Sequence, residues 1–151
     1  MDAQYPGEGA TFTDLMRLAE EYRVAAQTLL PHGRKGAPLS RAPCRLTALQ
    51  AIELYLSAYL LASGLDRKSL RGLQHDVGAR YRLAAAHGLV LRKRTADHLG
   101  HLTASREYVV ARYCPEMTAS LSQINRLIAT LDELATKVKQ CIGDRPKSAR
   151  A

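Results

Sequence analysis

The stretch LTALQAIELYLSAYLLASGL, Leu46–Leu65, decides the fold class of this chain. Its apolar residues follow the whole circumference of a helix rather than one stripe, which predicts a helix covered by neighbours on several sides. The stretch is long enough to imitate a membrane span, but Gln50 and Glu53 lie near its middle, where a carboxylate in lipid costs several kcal/mol. We therefore expect the buried central helix of a bundle with no membrane contact, beginning at Pro43 and stopping at Gly64.

The composition of the whole chain supports an all-α fold. Ala and Leu supply 46 of the 151 residues, Val and Ile supply only 10, and there is no Trp. Side chains that favour strands are too scarce to fill a sheet, which argues against a sandwich, a barrel or a Rossmann layer. The length suits one domain. We predict an antiparallel bundle of four to five helices over residues 13–143, between a flexible N-terminus, 1–12, and a flexible tail, 144–151.

Breaks at Pro and Gly, with apolar residues at helical spacing between them, predict the other helices. A first helix begins at a cap on Thr13 or Asp14 and ends before Pro31. Further segments are a long helix over 66–88 with bends at its glycines, a short helix over 95–102, an extended turn in SREYVVARYCP over 105–115, and a last helix over 118–143. The following residues are expected to share one core: Leu49, Ile52, Leu56, Leu60, Leu73, Val77, Ile124, Ile128 and Leu131.

Positive charge is concentrated in the middle of the chain. The net charge is +8, and residues 31–112 carry fourteen basic but only five acidic side chains. The segment PHGRKGAPLSRAP, 31–43, is predicted to be an exposed basic loop. Such a charge favours acidic partners such as RNA or nucleotides, and a solvated basic surface without a ligand is the alternative. The basic residues concerned are Arg34, Lys35, Arg41, Arg45, Arg67, Lys68, Arg71, Arg80, Arg82, Arg92, Lys93 and Arg94.

The cysteines and the N-terminus bear on cellular location rather than on chemistry. The three cysteines form no C-x-x-C pair and leave an odd thiol, which argues against a secreted disulfide scaffold. Asp2 and Glu8 lie where a signal peptide would carry a basic start and an apolar run. We predict a cytoplasmic protein without a cofactor. His98 and His101 are spaced to supply two metal ligands, but a third ligand is missing from the pattern, so no metal site is predicted.

His75 and Glu53 are the polar residues whose positions are most unusual. His75 lies between the apolar positions Leu73 and Val77, and Glu53 lies in a nearly apolar helix. A half-buried imidazole needs hydrogen-bond partners, and a buried carboxylate must be paired or protonated. The alternatives are a histidine that only caps a helix and a carboxylate that faces solvent.

Three short motifs, in this order, resemble the HEPN superfamily of small helical proteins. AIELYLSAYLLASGL, 51–65, resembles the second-helix pattern of that family, HDV, 75–77, its H-D-L helix opening, and ARYC, 111–114, its R-Y-P turn before the last helix. With the final helix, the resemblance covers residues 45–142. It implies an antiparallel bundle, a homodimer and work on nucleotides or RNA. Such proteins are often metal-independent ribonucleases beside a nucleotidyltransferase-type partner, as in two-protein toxin–antitoxin systems.

The resemblance implies a polar cluster of Glu53, His75 and Arg112 at the edge of the bundle, and we expect the binding region to extend to Arg71, Asp76 and Tyr113. Two departures from the family are clear. Ser57 occupies the place of a family lysine, and no histidine follows His101, so the Arg and His dyad of the final helix is absent.

Two functions remain open from the sequence. The first is a non-catalytic module that binds a nucleotide, RNA or a partner protein. The second is a metal-independent ribonuclease whose dyad has moved to Arg92 or Arg94 with His98 or His101 and is completed across a dimer.

Overall fold

The computed structural model describes residues 6–143, and every regular element in that range is helical. Seven α-helices lie within these described residues: α1 (Phe12–Leu29), α2 (Ala42–Ala62), α3 (Arg67–Gly72), α4 (Val77–Ala86), α5 (Lys93–Ala104), α6 (Glu107–Tyr113) and α7 (Ile124–Gly143). Three short 3-10 turns accompany them: Leu30–His32, Pro38–Arg41 and Pro115–Ser120. The prediction of an all-α fold is confirmed.

Helix α2 occupies the centre of the fold. It contacts α1, α4, α6 and α7, and most of its side chains are buried around the whole helix. The helix begins one residue before the predicted Pro43 and ends just before Gly64, whose positive φ of 99° only glycine adopts without strain. The all-round apolar pattern of this stretch therefore reflects burial on several sides, as predicted.

The predicted core residues lie together. All are buried except Leu73 and Ile128, which are half-buried and packed against the rest. Several further residues from α1, α5 and α7 complete the same core, among them Phe12, Leu99, Leu127, Leu134 and Val138. Burial of apolar surface from five helices in one cluster is the main stabilising term of the fold.

The first helix begins earlier than the sequence suggested. Thr11, and not Thr13 or Asp14, is the N-cap: its hydroxyl accepts the amide of Asp14, and the Asp14 carboxylate accepts the amide of Thr11. This reciprocal capping box satisfies two amides that have no partner inside the helix. It also places Phe12 in the core.

The prediction of one long helix over 66–88 is wrong, because the structure has two helices there. Gln74 adopts a positive φ of 49°, which no α-helix accommodates. Asp76 then caps α4 through the amide of Ala79, at 2.8 Å. The side chain of Asp76 thus competes with the helical backbone and starts a new helix.

Two further boundaries differ from the prediction. The segment expected as an extended turn contains α6, which begins after Arg106 in the left-handed region, φ 52°. The ion pair of Glu107 with Arg45 and the burial of Val110 outweigh the weak strand preference of two valines. The last helix begins at Ile124 rather than Thr118, because Thr118 lies in a 3-10 turn.

Among residues 6–143, none of the helices combines the length and apolarity needed to cross a bilayer. The ends expected to be flexible, 1–5 and 144–151, lie outside the described residues. Within the described part of the N-terminal segment, Glu8 forms an ion pair with Arg71 of α3.

Candidate functional site

The polar pair expected from the sequence lies at the edge of the core between α2 and α4. The Nδ1 atom of His75 is 3.1 Å from a carboxylate oxygen of Glu53, and the other Glu53 oxygen is 3.5 Å from a guanidinium nitrogen of Arg80. Glu53 is mostly buried, whereas nearly half of the His75 side chain is exposed. Glu53 is therefore paired and does not face solvent.

Two residues of α6 extend this pair to the surface. The centroids of the Tyr108 and His75 rings are 4.7 Å apart. The guanidinium of Arg112 lies over the Tyr108 ring, 5.9 Å from its centroid. Arg112 thus contacts Tyr108, and within residues 6–143 no hydrogen bond or ion pair joins it to Glu53 or His75. Beside the group is an open cavity of about 420 Å³ lined chiefly by the α3–α4 connection, with Thr103, Arg106 and Tyr108.

The remaining residues of the expected binding region have structural partners or lie apart. Arg71 pairs with Glu8. Asp76 accepts the amide of Ala79 and, at 3.0 Å, the hydroxyl of Thr103, so it caps α4 and joins it to α5. Tyr113 is largely exposed at the end of α6. The six expected residues therefore do not converge on a single site: Glu53 and His75 are in direct contact, and the other four lie around them.

The two histidines of α5 lie in different environments. His98 is buried, with its Nδ1 2.7 Å from the hydroxyl of Thr130, and its Nε2 has no hydrogen-bond partner in the described part of the chain. His101 is exposed, and its ring lies 6.5 Å from that of His98. Burial lowers the pKa of His98 to about 4, and the positive charge of Arg126 adds to this effect. A neutral, enclosed His98 cannot approach a phosphate in solvent.

The arginines proposed for a relocated dyad lie on the outside of the molecule. Arg92 is highly exposed, its backbone amide donates to Glu133 at 2.7 Å, and its side chain approaches the same carboxylate at 3.9 Å. Arg94 is also exposed. Between them, Lys93 pairs with Asp97 at 3.0 Å. Two of the three positive charges in this run are therefore partly balanced by carboxylates.

The residues with the clearest potential for ligand binding surround a cavity of about 310 Å³ at the N-terminal end of α7, which we call the α7 pocket. One wall is the basic loop that follows α1, and the other is the segment that leads into α7. Among the described residues that line it, four are basic and none is acidic. The lining consists of Arg34, Lys35, Gly36, Pro38, Arg41, Arg45, Thr118, Ala119 and residues 121–125.

The basic loop has a fixed conformation. The hydroxyl of Ser40 accepts the amide of Arg34 at 2.8 Å and donates to the carbonyl of Ala37 at 2.6 Å. Gly33 lies so close to Arg41 that an added Cβ would be 2.7 Å from the Cγ of that side chain. Because position 33 is glycine, the aliphatic part of the Arg41 side chain can pack against the backbone of the loop. Arg34 and Arg41 therefore line the same wall of the pocket.

Arg45, which lines the α7 pocket, belongs to a buried ion pair. Arg45 of α2 donates to Glu107 of α6 at 3.3 Å, and both side chains are buried. The second oxygen of Glu107 accepts the hydroxyl of Ser122 at 2.8 Å and its amide at 3.2 Å. The pair therefore fixes the backbone just before α7, and the net positive charge of the pocket comes from Arg34, Lys35 and Arg41.

The sequence predicted the basic loop but not the segment that faces it across the pocket. The four basic residues were all part of the predicted positive region, whereas nothing predicted that the start of α7 would face them. The available signal was the polar pair Ser122 and Gln123 directly before an amphipathic helix, which is typical of a helix N-terminus.

No group of three or more metal-ligating side chains occurs within residues 6–143. Comparison of the chain with protein-family models, with curated proteins and with solved structures finds no match.

Proposed function

We propose that this protein is a HEPN-like helical module that binds RNA through the α7 pocket and does not cleave it. The observation that carries the proposal is the meeting of Arg34, Lys35 and Arg41 with the N-terminal end of a 20-residue helix around one open cavity. Glu107 balances the fourth basic residue, Arg45, so three positive charges remain for a ligand.

The chemistry of the pocket suits a phosphate group. The first amides of an α-helix have no partner within the helix and carry a partial positive charge, so they attract anions. Arginine adds planar pairs of donors that match phosphate oxygens, and lysine adds a point charge. The α7 pocket combines both features, and the side-chain amide of Asn125 in its lining offers a further donor.

A polymer suits the surroundings better than a free phosphate. The pocket is open to solvent at one end of the molecule, and the net charge of the chain is +8. A nucleic acid strand places a phosphate in the pocket while neighbouring phosphates remain near the basic surface. The resemblance of residues 45–142 to the HEPN superfamily supports RNA, and the contact between Glu53 and His75 brings two of the resembling motifs together.

The test is binding of a fluorescein-labelled single-stranded RNA 12-mer to the full chain, measured by fluorescence anisotropy over a salt series. If three phosphates are contacted, log K falls with log salt at a slope of about −2, since each contact on a single strand contributes about −0.7. The variant Arg34→Glu/Lys35→Glu/Arg41→Glu is expected to lose most of the affinity and most of the slope.

The matched control reverses three exposed basic residues elsewhere, in the variant Arg17→Glu/Lys137→Glu/Arg82→Glu, which makes the same change in net charge. Binding that falls equally in both variants would show a diffuse charge effect and would overturn the α7 pocket as the site. If a mononucleotide bound as tightly as the 12-mer, the ligand of the pocket would be a nucleotide rather than an RNA polymer.

The ribonuclease alternative receives less support. A general base must reach the scissile phosphate, and His98 is enclosed by the core with its Nδ1 bonded to Thr130. The exposed His101 lies beside it on α5, but the basic pocket is at the start of α7. A homodimer and a nucleotidyltransferase-type protein partner are further parts of the proposal that rest on the resemblance, and light scattering of the purified chain tests the dimer.

A further inference from the structure

A third cavity, separate from the two described above, lies between the first four helices. Its volume is about 190 Å³, and we call it the Arg80 pocket. Leucines from α1, α2 and α3 form its apolar wall: Leu15, Leu54, Leu61 and Leu70. Its polar lining is Ser57, Arg67, Arg71 and Arg80, and Pro6, Gly7 and Glu8 complete it. Ser57 and Arg45 are twelve residues apart on α2, so the Arg80 pocket and the α7 pocket lie roughly 18 Å apart along that helix.

Arg80 is the unusual residue of this pocket, because its guanidinium is almost completely buried, with only 5% of the side chain exposed. The Nε atom donates to the hydroxyl of Ser57 at 3.1 Å, and one terminal nitrogen lies 3.5 Å from Glu53. The other terminal nitrogen, Nη1, is buried and has no hydrogen-bond partner within residues 6–143. Two N–H donors of a buried cation are thus left without an acceptor.

Such an arrangement is unfavourable unless an acceptor is supplied. Buried donors in proteins are satisfied in the great majority of cases, and a charged donor is the most costly to leave unsatisfied. Glu53 serves both His75 and Arg80 and contacts the guanidinium only at long range, so it offsets the charge of Arg80 incompletely. Burial accordingly lowers the pKa of Arg80.

The charge of the lining also favours an anion. Three arginines line the Arg80 pocket against one carboxylate, that of Glu8, which is paired with Arg71. Arg67 donates to the carbonyl of Ala10, a neutral acceptor. The remaining surface is the leucine wall, which offers nothing to a polar molecule but gains from contact with an aliphatic chain.

We propose that the Arg80 pocket binds a short aliphatic carboxylate, with its head group on the Arg80 guanidinium, which turns to bring Nη1 to the pocket, and its alkyl chain between Leu54, Leu61 and Leu70. The volume corresponds to about six water molecules at ~30 Å³ each, which suits an acid of five to eight carbons, on the order of a hexanoate, rather than a long-chain lipid. A carboxylate fits the pocket because it pairs with guanidinium through parallel hydrogen bonds. The inference does not depend on RNA binding.

The experiment is a titration of the full chain with sodium hexanoate, monitored by NMR of methyl-labelled leucines, with hexan-1-ol as a neutral ligand of the same length. We expect hexanoate to shift the methyl signals of Leu54, Leu61 and Leu70 in a saturable manner at about millimolar concentration. Hexan-1-ol is expected to bind at least about tenfold more weakly, since it cannot form the charged pair.

Two variants locate the ligand. Arg80→Gln is expected to weaken hexanoate binding about tenfold or more without affecting hexan-1-ol, whereas Arg82→Gln, an exposed arginine of the same helix, leaves both unchanged. Leu70→Phe fills the pocket from its half-buried apolar side, keeps Arg80, and should abolish binding of both ligands. Its effect is decisive even if Arg80→Gln does not fold.

Equal binding of hexanoate and hexan-1-ol would overturn the proposal, because the guanidinium would then have no role. The absence of saturable shifts for carboxylates of four to eight carbons, at about ten times the expected millimolar Kd, would overturn it as well. NMR shifts confined to residues outside the Arg80 pocket would also overturn the proposal.

Discussion

Arg45 and Glu107 form an ion pair of 3.3 Å between α2 and α6, and the Glu107 side chain is completely buried. The same carboxylate accepts two hydrogen bonds from Ser122. Three separate segments of the chain are therefore joined at one carboxylate, and the third of them is a wall of the α7 pocket. Because a buried charge is costly without its partner, this contact links the stability of the fold to the shape of the pocket.

Removal of the Glu107 carboxylate is expected to destabilise the protein strongly. Glu107→Ala leaves the Arg45 guanidinium buried without a counter-charge, which costs about 3–5 kcal/mol of unfolding free energy. The exposed pair of Lys93 and Asp97 provides the control, since Lys93→Ala should cost no more than about 1 kcal/mol. Urea denaturation measures both.

The double variant Arg45→Met/Glu107→Leu separates the ion pair from the pocket. It replaces both charges by apolar side chains of similar size, so it should recover most of the stability that Glu107→Ala loses. It still lacks the acceptor for Ser122 and should bind RNA more weakly than the wild type. If the double variant were as unstable as Glu107→Ala, packing rather than the unpaired charge would explain the loss.

Gly33→Ala is expected to weaken RNA binding while the fold stays intact. The backbone of Gly33, φ −68° and ψ 135°, suits alanine, but the added Cβ would lie 2.7 Å from Cγ of Arg41, so that side chain must move. The expected loss is a few-fold in affinity, about 1 kcal/mol, with a melting temperature near that of the wild type. Gly100→Ala, in a helix with open space around the site, is the control and should leave RNA affinity unchanged. If the RNA affinity of Gly33→Ala were unchanged although the Arg41 side chain had moved, Arg41 would not be part of the RNA site.

The sequence predicted the fold where one physical effect dominates and failed where two compete. The all-round apolar pattern of α2 has one explanation, and the core around Ile52 and Leu56 followed from it. The break at Gln74 was not predicted, because the apolar pattern continues through it while the Asp76 side chain caps a new helix just after it. The burial of Glu107 was missed for a similar reason, since its partners Arg45 and Ser122 are distant in sequence.

The same distinction applies to the site. Glu53 and His75 were expected to lie together because the resemblance joins their motifs and a buried carboxylate needs donors, and they are 3.1 Å apart. The α7 pocket needed the tertiary structure, because its two walls are about eighty residues apart in the chain and only the loop carries a visible charge signal. Arg80 was noted only as one of many basic residues, although burial sets it apart from them.

The stability of the protein is expected to decrease as the pH falls from 7 to 5, partly because of His98. Its pKa is about 4 in the folded protein against 6.5 for a solvated histidine, so between these values the unfolded chain binds the additional proton. Stability is therefore complete above pH 6.5 and is lost as the pH falls toward 4. Three carboxyl groups also have lowered pKa values in the folded protein: Glu20, Asp14 and Asp66. In the unfolded chain they take up protons mainly below about pH 4.5, so they reduce the stability at a lower pH than His98 does.

His98→Gln tests this assignment, because glutamine can retain a hydrogen bond to Thr130 but does not titrate. The variant should show a flatter dependence of unfolding free energy on pH between 7 and 5, measured by urea denaturation at each pH. His101→Gln, on the exposed side of the same helix, is the matched control. An unchanged pH dependence in His98→Gln would assign the effect to another group.

Reversal of the α5 basic run is expected to affect RNA binding less than reversal of the loop. In the variant Arg92→Glu/Lys93→Glu/Arg94→Glu, two of the lost charges were already balanced by Glu133 and Asp97. The anisotropy titration should show a moderate loss of affinity and a slightly flatter salt slope, because the long-range attraction falls while the contacted phosphates stay the same. A larger loss than that of the loop variant would move the binding site from the α7 pocket to α5.

No cleavage of RNA is expected from the isolated protein, with or without a divalent cation. Cleavage needs a general base within hydrogen-bond reach of the 2′-hydroxyl and a cation at the scissile phosphate. In the described structure, His98 is enclosed and held near neutrality by its low pKa, and the final helix has arginine but no histidine. Incubation of a mixed RNA pool with the full chain, followed by gel analysis, checks this. Cleavage that persisted in EDTA and disappeared in His101→Ala would establish the exposed histidine of α5 as a catalytic residue and would replace the binding module by the relocated-dyad ribonuclease.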